Sequence, residues 1–364
     1  MEAEIAFPSL FWHFLSTGHP WASGIVKGEV MPIRCSTPIR AGRVYLTAML
    51  AALGFSHISL AAAGSEMPSI TEPVMFNTAE ADRILATLQV FPPDNPWNEN
   101  ISNLPVLKNS KQIIASIGAE KRLAYNLDMA FVIVPRGYRR VPIKVLAYPE
   151  ESDPGPYPIP DNAPIENWPL DGRTLAMAQT AKDAGDRHVI VVDPTSRRLY
   201  ELYQGRKVVD GWECASSATF DLTTNKLRPD GWTSTDAAGL PIFPAIVRFD
   251  EVEQGMVRHA MRFTVRNTRR AYVHPATHFA SRKEDPNLPR MGERFRLRAD
   301  FDISGFSKHA QAILKGLKTY GMFVADNGGD WRVSVAPDAR IKGLDDLRKV
   351  KGTDFEVVAI MGQK

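Results

Sequence analysis

Phe220–Ala238 is the densest polar segment of the chain: Asp221, Asn225, Asp230, Trp232, Thr233, Ser234, Thr235 and Asp236 fall within 19 residues. With Asp250 and Glu251 just downstream, the segment supplies enough carboxylates for a glycosidase pair. In such a pair one carboxylic acid protonates the leaving oxygen and the second serves as base or nucleophile. Trp232 is suited to stacking on a sugar ring. A long polar loop between strands is also where binding residues concentrate. The plainer reading is that these carboxylates cap turns and pair with arginines.

Two histidine patterns follow. In Arg258–Val265, alternation of period two sets His259 with Met261, Phe263 and Val265 on one face and Arg258, Arg262 and Thr264 on the other. A histidine on an apolar face is commonly a hydrogen-bonded core residue; beside a carboxylate it becomes a general acid or base. His274 and His278 have the H-x3-H spacing that aligns two zinc ligands on a helix, but Pro275 and the β-rich surroundings oppose a helix and no third ligand follows. No metal and no cofactor is therefore expected. The candidate catalytic residues are Asp221, Asp236, His259 and His278; the candidate substrate-binding residues are Asn225, Trp232, Asp250, Arg262 and Asp326. Strand order is expected to bring them to one cleft.

Arg258–Arg298 carries eleven Lys/Arg against three acids, a local charge of +8. Such an asymmetry favours an anionic polysaccharide as partner, the alternative being arginines paired with the acidic proline-rich segment. The chain as a whole has a formal charge of only +3 and no nucleic-acid motif, so a nucleic-acid partner is not expected.

The elements that must position these residues are mostly strands. Short runs rich in Val, Ile, Phe and Tyr at Ala130–Pro135, Val141–Tyr148, His188–Asp193, Arg198–Gln204, Arg206–Glu213, Pro241–Phe249, Val257–Val265, Arg270–Val273, Glu293–Arg298 and Met322–Ala325 read as strands. Helices are expected at Ala79–Leu88, Ser110–Glu120, Thr174–Asp183, Ser307–Tyr320 and Leu344–Val350. The fold class is mainly β with a few helices (α+β), with a β-sandwich or jelly-roll-like core. Residues 149–170 hold seven prolines and read as an ordered polyproline-type connection over the surface.

The N-terminal part has the layout of an export signal: a basic region with Arg34, Arg40 and Arg43, an apolar run Val44–Leu60, and Ala61-Ala62-Ala63 before Gly64. Cleavage is expected after Ala63, with Met31 as the start of translation and residues 1–30 as mis-annotated leader. Residues 64–90 then read as a tether and short helix, and 91–364 as one β-rich unit, secreted or periplasmic and with no membrane span after cleavage. Of the two cysteines, Cys35 falls in the signal and Cys214 remains, which excludes an internal disulfide.

From about Phe91 onward the chain resembles a family of uncharacterised exported bacterial proteins. The motifs are Phe91-Pro92-Pro93-Asp94-Asn95-Pro96-Trp97-Asn98, Glu151–Pro158, Asp186-Arg187-His188, Leu199-Tyr200-Glu201-Leu202-Tyr203, Asp230–Ser234, Ala237–Pro241, Val247–Val252 and Tyr320–Gly328. The resemblance implies one continuous unit and carries no activity; His274 stands where the family often has Trp. Arg187–Arg206 also looks like the opening strands of an L,D-transpeptidase, although Cys214 lacks that family's His-Gly-Cys motif. The expected function is action on an extracellular or cell-wall polysaccharide, as a glycoside hydrolase or polysaccharide lyase. The alternatives are a non-catalytic carbohydrate-binding protein and an L,D-transpeptidase-like enzyme.

Overall fold

The computed structural model describes residues 67–360. The expected export signal, the expected start at Met31 and Cys35 lie outside the described residues.

In chain order, β1 (Val74–Met75) leads to α1 (Ala79–Leu85), α2 (Ser110–Ile117), β2 (Ala124–Leu127), β3 (Val132–Ile133) and β4 (Ile143–Val145). Then follow α3 (Leu175–Thr180), β5 (Val189–Asp193), β6 (Arg198–Tyr203), β7 (Arg206–Val208), β8 (Gly211–Cys214) and β9 (Ser216–Asp221). The chain closes with α4 (Phe249–Glu253), β10 (Met261–Val265), β11 (Arg294–Leu297), α5 (Lys308–Thr319), β12 (Met322–Asn327), β13 (Arg332–Val335) and β14 (Phe355–Val357).

These strands form three mixed sheets, in the orders β1-β3-β5-β6-β9, β14-β11-β12-β10-β13-β2 and β4-β8-β7. The mainly-β, α+β expectation holds. Parallel pairs β3/β5, β10/β12, β13/β2 and β4/β8 depart from the antiparallel pairing of the expected sandwich or jelly roll, which therefore does not follow from the strand order. No helix among the described residues is long and apolar enough to cross a membrane.

Local chemistry explains where the helices hold. The Thr78 hydroxyl accepts from Ala81 N at the start of α1, and Thr174 does the same for Met177 N at the start of α3. In α5, Ala310, Ile313, Leu314 and Leu317 are buried on the face the spacing predicts. Pro241–Phe249 is a correction: it forms a 3-10 turn at Phe243–Ala245 and the start of α4, not a strand. Two prolines withhold ladder donors, and the amides of Ile242 and Phe243 donate to the Glu201 carboxylate at 3.0 Å instead. Arg206–Glu213 is two strands because the chain reverses at Val209-Asp210, where Gly211 has φ +140 and lies against the Pro142 carbonyl.

Two further readings are revised. Residues 67–90 are integrated rather than a tether: β1 pairs with β3, and Val74, Phe76, Ala81, Ile84 and Leu85 are buried in the main core. The proline-rich segment is ordered but not superficial, since Tyr157, Ile159, Ala163 and Ile165 are buried in a second core against β5, β6 and β8.

Candidate functional site

A polar cleft of about 340 Å³ opens between the ends of the first two sheets, lined among others by Tyr148, Asp186, Tyr203, Asp236, His278 and Asp326. Its floor is a buried salt bridge. Arg262 on β10 reaches Asp236 Oδ2 from Nε at 3.0 Å and from Nη2 at 2.9 Å, while its Nη1 donates to Ser334 Oγ at 2.7 Å. Burial works against the Arg262 charge, but Asp236, Asp326 and Asp128 outweigh it and hold the guanidinium protonated. Burial pushes Asp236 up to about 6 against the pull of Arg262. The alternation that set Arg262 on the polar face of its strand is thus corrected: both faces of β10 are covered, and the arginine is neutralised from within.

The loop carrying Asp236 is pinned from several sides. Ser234 Oγ donates to the Leu240 carbonyl at 2.7 Å, Ser216 Oγ to the Ser234 carbonyl at 2.9 Å, and Thr235 Oγ1 to Glu201 Oε2 at 2.9 Å. Gly239 adopts φ +75 where a Cβ would stand 2.1 Å from Thr277 Oγ1, so only glycine fits that turn. On the other wall, the β10/β12 register shifts between Phe263 and Thr264, leaving Ala325 without a β10 partner and placing Asp326 opposite Thr264. Such a bulge re-aims the side chains beyond it. The Ala325 carbonyl then accepts from Ala238 N at 3.0 Å, docking the loop to the sheet. Asp326 is half-buried at the end of β12, and burial reinforced by the Asp236 charge raises it to about 7. His278 Nδ1 donates to the Ala237 carbonyl at 2.8 Å, so the ring nitrogen available to a ligand is Nε2.

Asp236, His278, Asp326 and, beneath them, Arg262 are therefore brought together; the other expected residues are not. His259 lies in a separate groove with Asp250, where its Nε2 faces Glu251 Oε2 at 2.9 Å and its Nδ1 the Ala260 carbonyl. Asp250 is held there by Arg248, with burial raising it to about 6. Asp221 accepts from Thr223 and pairs with Arg198 at 3.2 Å, in a further depression that also holds Trp232. The Trp232 ring packs against the Arg228 guanidinium. Asn225 bridges Asn95 and Asp94 on the N-terminal side of the domain. His259 and His278 thus do not share a cleft, because β10 enters the core from the side opposite to the one where its parallel partner β12 ends, at Asp326-Asn327. His274 and His278 gather no third ligand among the described residues.

Part of the basic stretch is internally neutralised. Arg290 pairs with Glu293, Arg296 with Glu356 and Arg298 with Asp300, while Arg294 is buried over the Phe323 ring, its charge disfavoured by burial. The acidic proline-rich segment serves other cations: Asp153 pairs with Arg228 at 2.6 Å, and Asp161 with Arg139 and Lys207.

Sequence reasoning missed Glu166, Asp186, His188, Glu201, Tyr148 and Tyr203. Glu201 had a visible signal, an acid alternating with leucine and tyrosine in a β run, and Asp186 and His188 stood together in one of the motifs of the resemblance; Glu166 had none beyond its polarity. Glu201 is fully buried and burial raises it to about 7. The folded chain therefore keeps a proton that the unfolded chain releases near 4.5, and stability must fall as pH rises from 4.5 through 7. Urea unfolding of wild type and Glu201→Gln at steps across that window checks this: the difference in stability between the two is expected to move against the wild type and then level off. A pH-independent difference would show that Glu201 is ionised throughout.

Cys214 is buried on β8 and burial pushes its thiol up to about 12. No histidine or cation is among the causes acting on it, so it lacks what makes a thiolate nucleophile. In a Cys35→Ser background the native protein should react with a disulfide reagent only at the rate of unfolding; rapid stoichiometric labelling would revive the thiol-enzyme reading.

No protein-family model matches the chain, and neither does any curated protein or solved structure compared with it.

Proposed function

We propose that this is an exported protein that acts on an extracellular or cell-wall polysaccharide by acid-base chemistry in the Asp186/Asp326 cleft. The observation that carries this reading is Asp326, a carboxyl raised to about 7 at the mouth of a cleft that also holds the exposed carboxylate of Asp186. Two carboxyls with environments this different divide into proton donor and water-orienting group. Asp326 donates to the leaving glycosidic oxygen, and Asp186 orients the attacking water. The walls suit a sugar: Tyr148 and Tyr203 present rings for stacking, while Ser216, Thr233 and Asn327 supply hydroxyl and amide groups. A volume of about 340 Å³ accommodates a short stretch of glycan.

The test is a panel of neutral and acidic polysaccharides and peptidoglycan, with product release and binding read on the same samples. Oligosaccharide release supports the hydrolase reading. Products absorbing in the ultraviolet would identify a lyase, and binding without release would make the cleft a recognition site.

A further inference from the structure

Glu166, Asp186 and His188 converge beside the cleft: one ring nitrogen of His188 and one carboxylate oxygen from each acid lie within 4.8 Å of one another. They are the one set of three such ligand atoms this close among the described residues. The convergence is built by the backbone. Glu166 N donates to the His188 carbonyl at 2.9 Å, and His188 N returns a bond to Glu166 Oε2 at 3.2 Å, clamping the two residues side by side. Arg187, between the two other members, takes φ +48 and turns the chain so that Asp186 comes round to them.

A second observation is independent of that clustering. His188 is 2% exposed, and its Nδ1 is buried with no hydrogen-bond partner. The Leu202 backbone also acts on the ring, and Nδ1 is the nitrogen left without a partner. A buried imidazole nitrogen with no partner is costly unless a ligand satisfies it, and metal-bound histidines characteristically give their other nitrogen to a backbone carbonyl. Asp128 adds to the case: its Oδ1 is also buried without a partner, and its charge acts on Glu166.

We propose that Glu166, Asp186 and His188 bind one divalent first-row transition-metal ion, with Zn²⁺ the best-fitting probe. Two carboxylate oxygens and one imidazole nitrogen form a three-ligand set of the kind that leaves a position open for water. Around an ion at about 2.1 Å from each atom, tetrahedral ligands stand about 3.4 Å apart. Separations of up to 4.8 Å would tighten by at most about 1.4 Å, a movement open to the exposed Asp186. Binding of the ion does not depend on the glycan reading; if both hold, the water that Asp186 orients is carried by the metal.

The test is calorimetric titration of Zn²⁺ into the untagged full chain after chelator treatment, alongside Asp186→Asn and His188→Ala. Wild type is expected to bind one equivalent, and each substitution to weaken it by roughly tenfold or more. His188 is buried, so His188→Ala is interpreted only with a wild-type near-ultraviolet dichroism spectrum. Asp186, being exposed, decides the matter alone if that variant fails to fold. Absence of saturable binding by wild type, or binding of equal affinity in the folded variants, overturns the proposal.

Discussion

Asp326→Asn is expected to cut turnover on the responsive glycan by a factor of about 10²–10⁴ while glycan affinity stays near the wild-type value. The amide keeps the shape of the carboxyl and its place beside Asn327 N, which bonds Oδ1 at 2.7 Å, but has no proton to give to a leaving oxygen. The pH dependence follows from the same group. Burial raises Asp326 to about 7, and a general acid works only while protonated, so kcat/KM should decline as pH rises through about 7. That descending limb should vanish from the residual activity of the variant. Full activity in Asp326→Asn, or an unchanged limb, would remove Asp326 from the chemistry. A metal at Glu166, Asp186 and His188 would add its own limb on the acid side, because ligands must lose protons to bind it.

The largest stability effect is expected at Arg262. Arg262→Met leaves Asp236, which is 1% exposed, without the guanidinium that holds it at 2.9 Å. Breaking a buried pair from one side costs about 3–5 kcal/mol, a large part of a typical total of about 5–15 kcal/mol. Urea unfolding at pH 7.5, where Asp236 with its value of about 6 must be charged or pay to protonate, is the measurement. Lowering the pH to about 5 should restore part of the loss, because a protonated Asp236 no longer needs its partner. The double substitution Arg262→Met/Asp236→Asn should be less destabilised than the sum of the two single changes, since the two groups share one interaction. A loss within about 1 kcal/mol for Arg262→Met, the range of an exposed pair, would show that water reaches the cleft floor.

The two predictions separate function from fold at one place. Asp326 faces the cleft with its charge state undecided near neutrality, whereas Asp236 is committed to Arg262. Both stood in one polar list when read along the chain, and only their surroundings assign them different work.

The parts of the architecture legible in the sequence are those set by local rules. Helix α5 could be read because four apolar residues recur at helical spacing and a glycine follows it; β5 and β6 because β-branched and aromatic residues run between turn residues. Strands β2, β13 and β14 escaped notice because each is only three or four residues long and is stabilised by its neighbours rather than its composition. Pro241–Phe249 was misleading for the converse reason: its apolar residues are buried as expected, but its amides are satisfied by a carboxylate from another sheet.

The site divides in the same way. Sequence alone identified the polar loop and, within it, Asp236, along with His278, Asp326 and Arg262 as residues worth following; it determined the strand-rich class and Cys214 as the single thiol among the described residues. Tertiary structure decided that Arg262 is spent on Asp236, that His259 belongs to another groove, and that Glu166, Asp186 and His188 meet across two turns. The physical reason is that a carboxylate's role depends on how much water and which charges surround it. Those are properties of chain segments far apart in sequence, and no spacing along one segment encodes them.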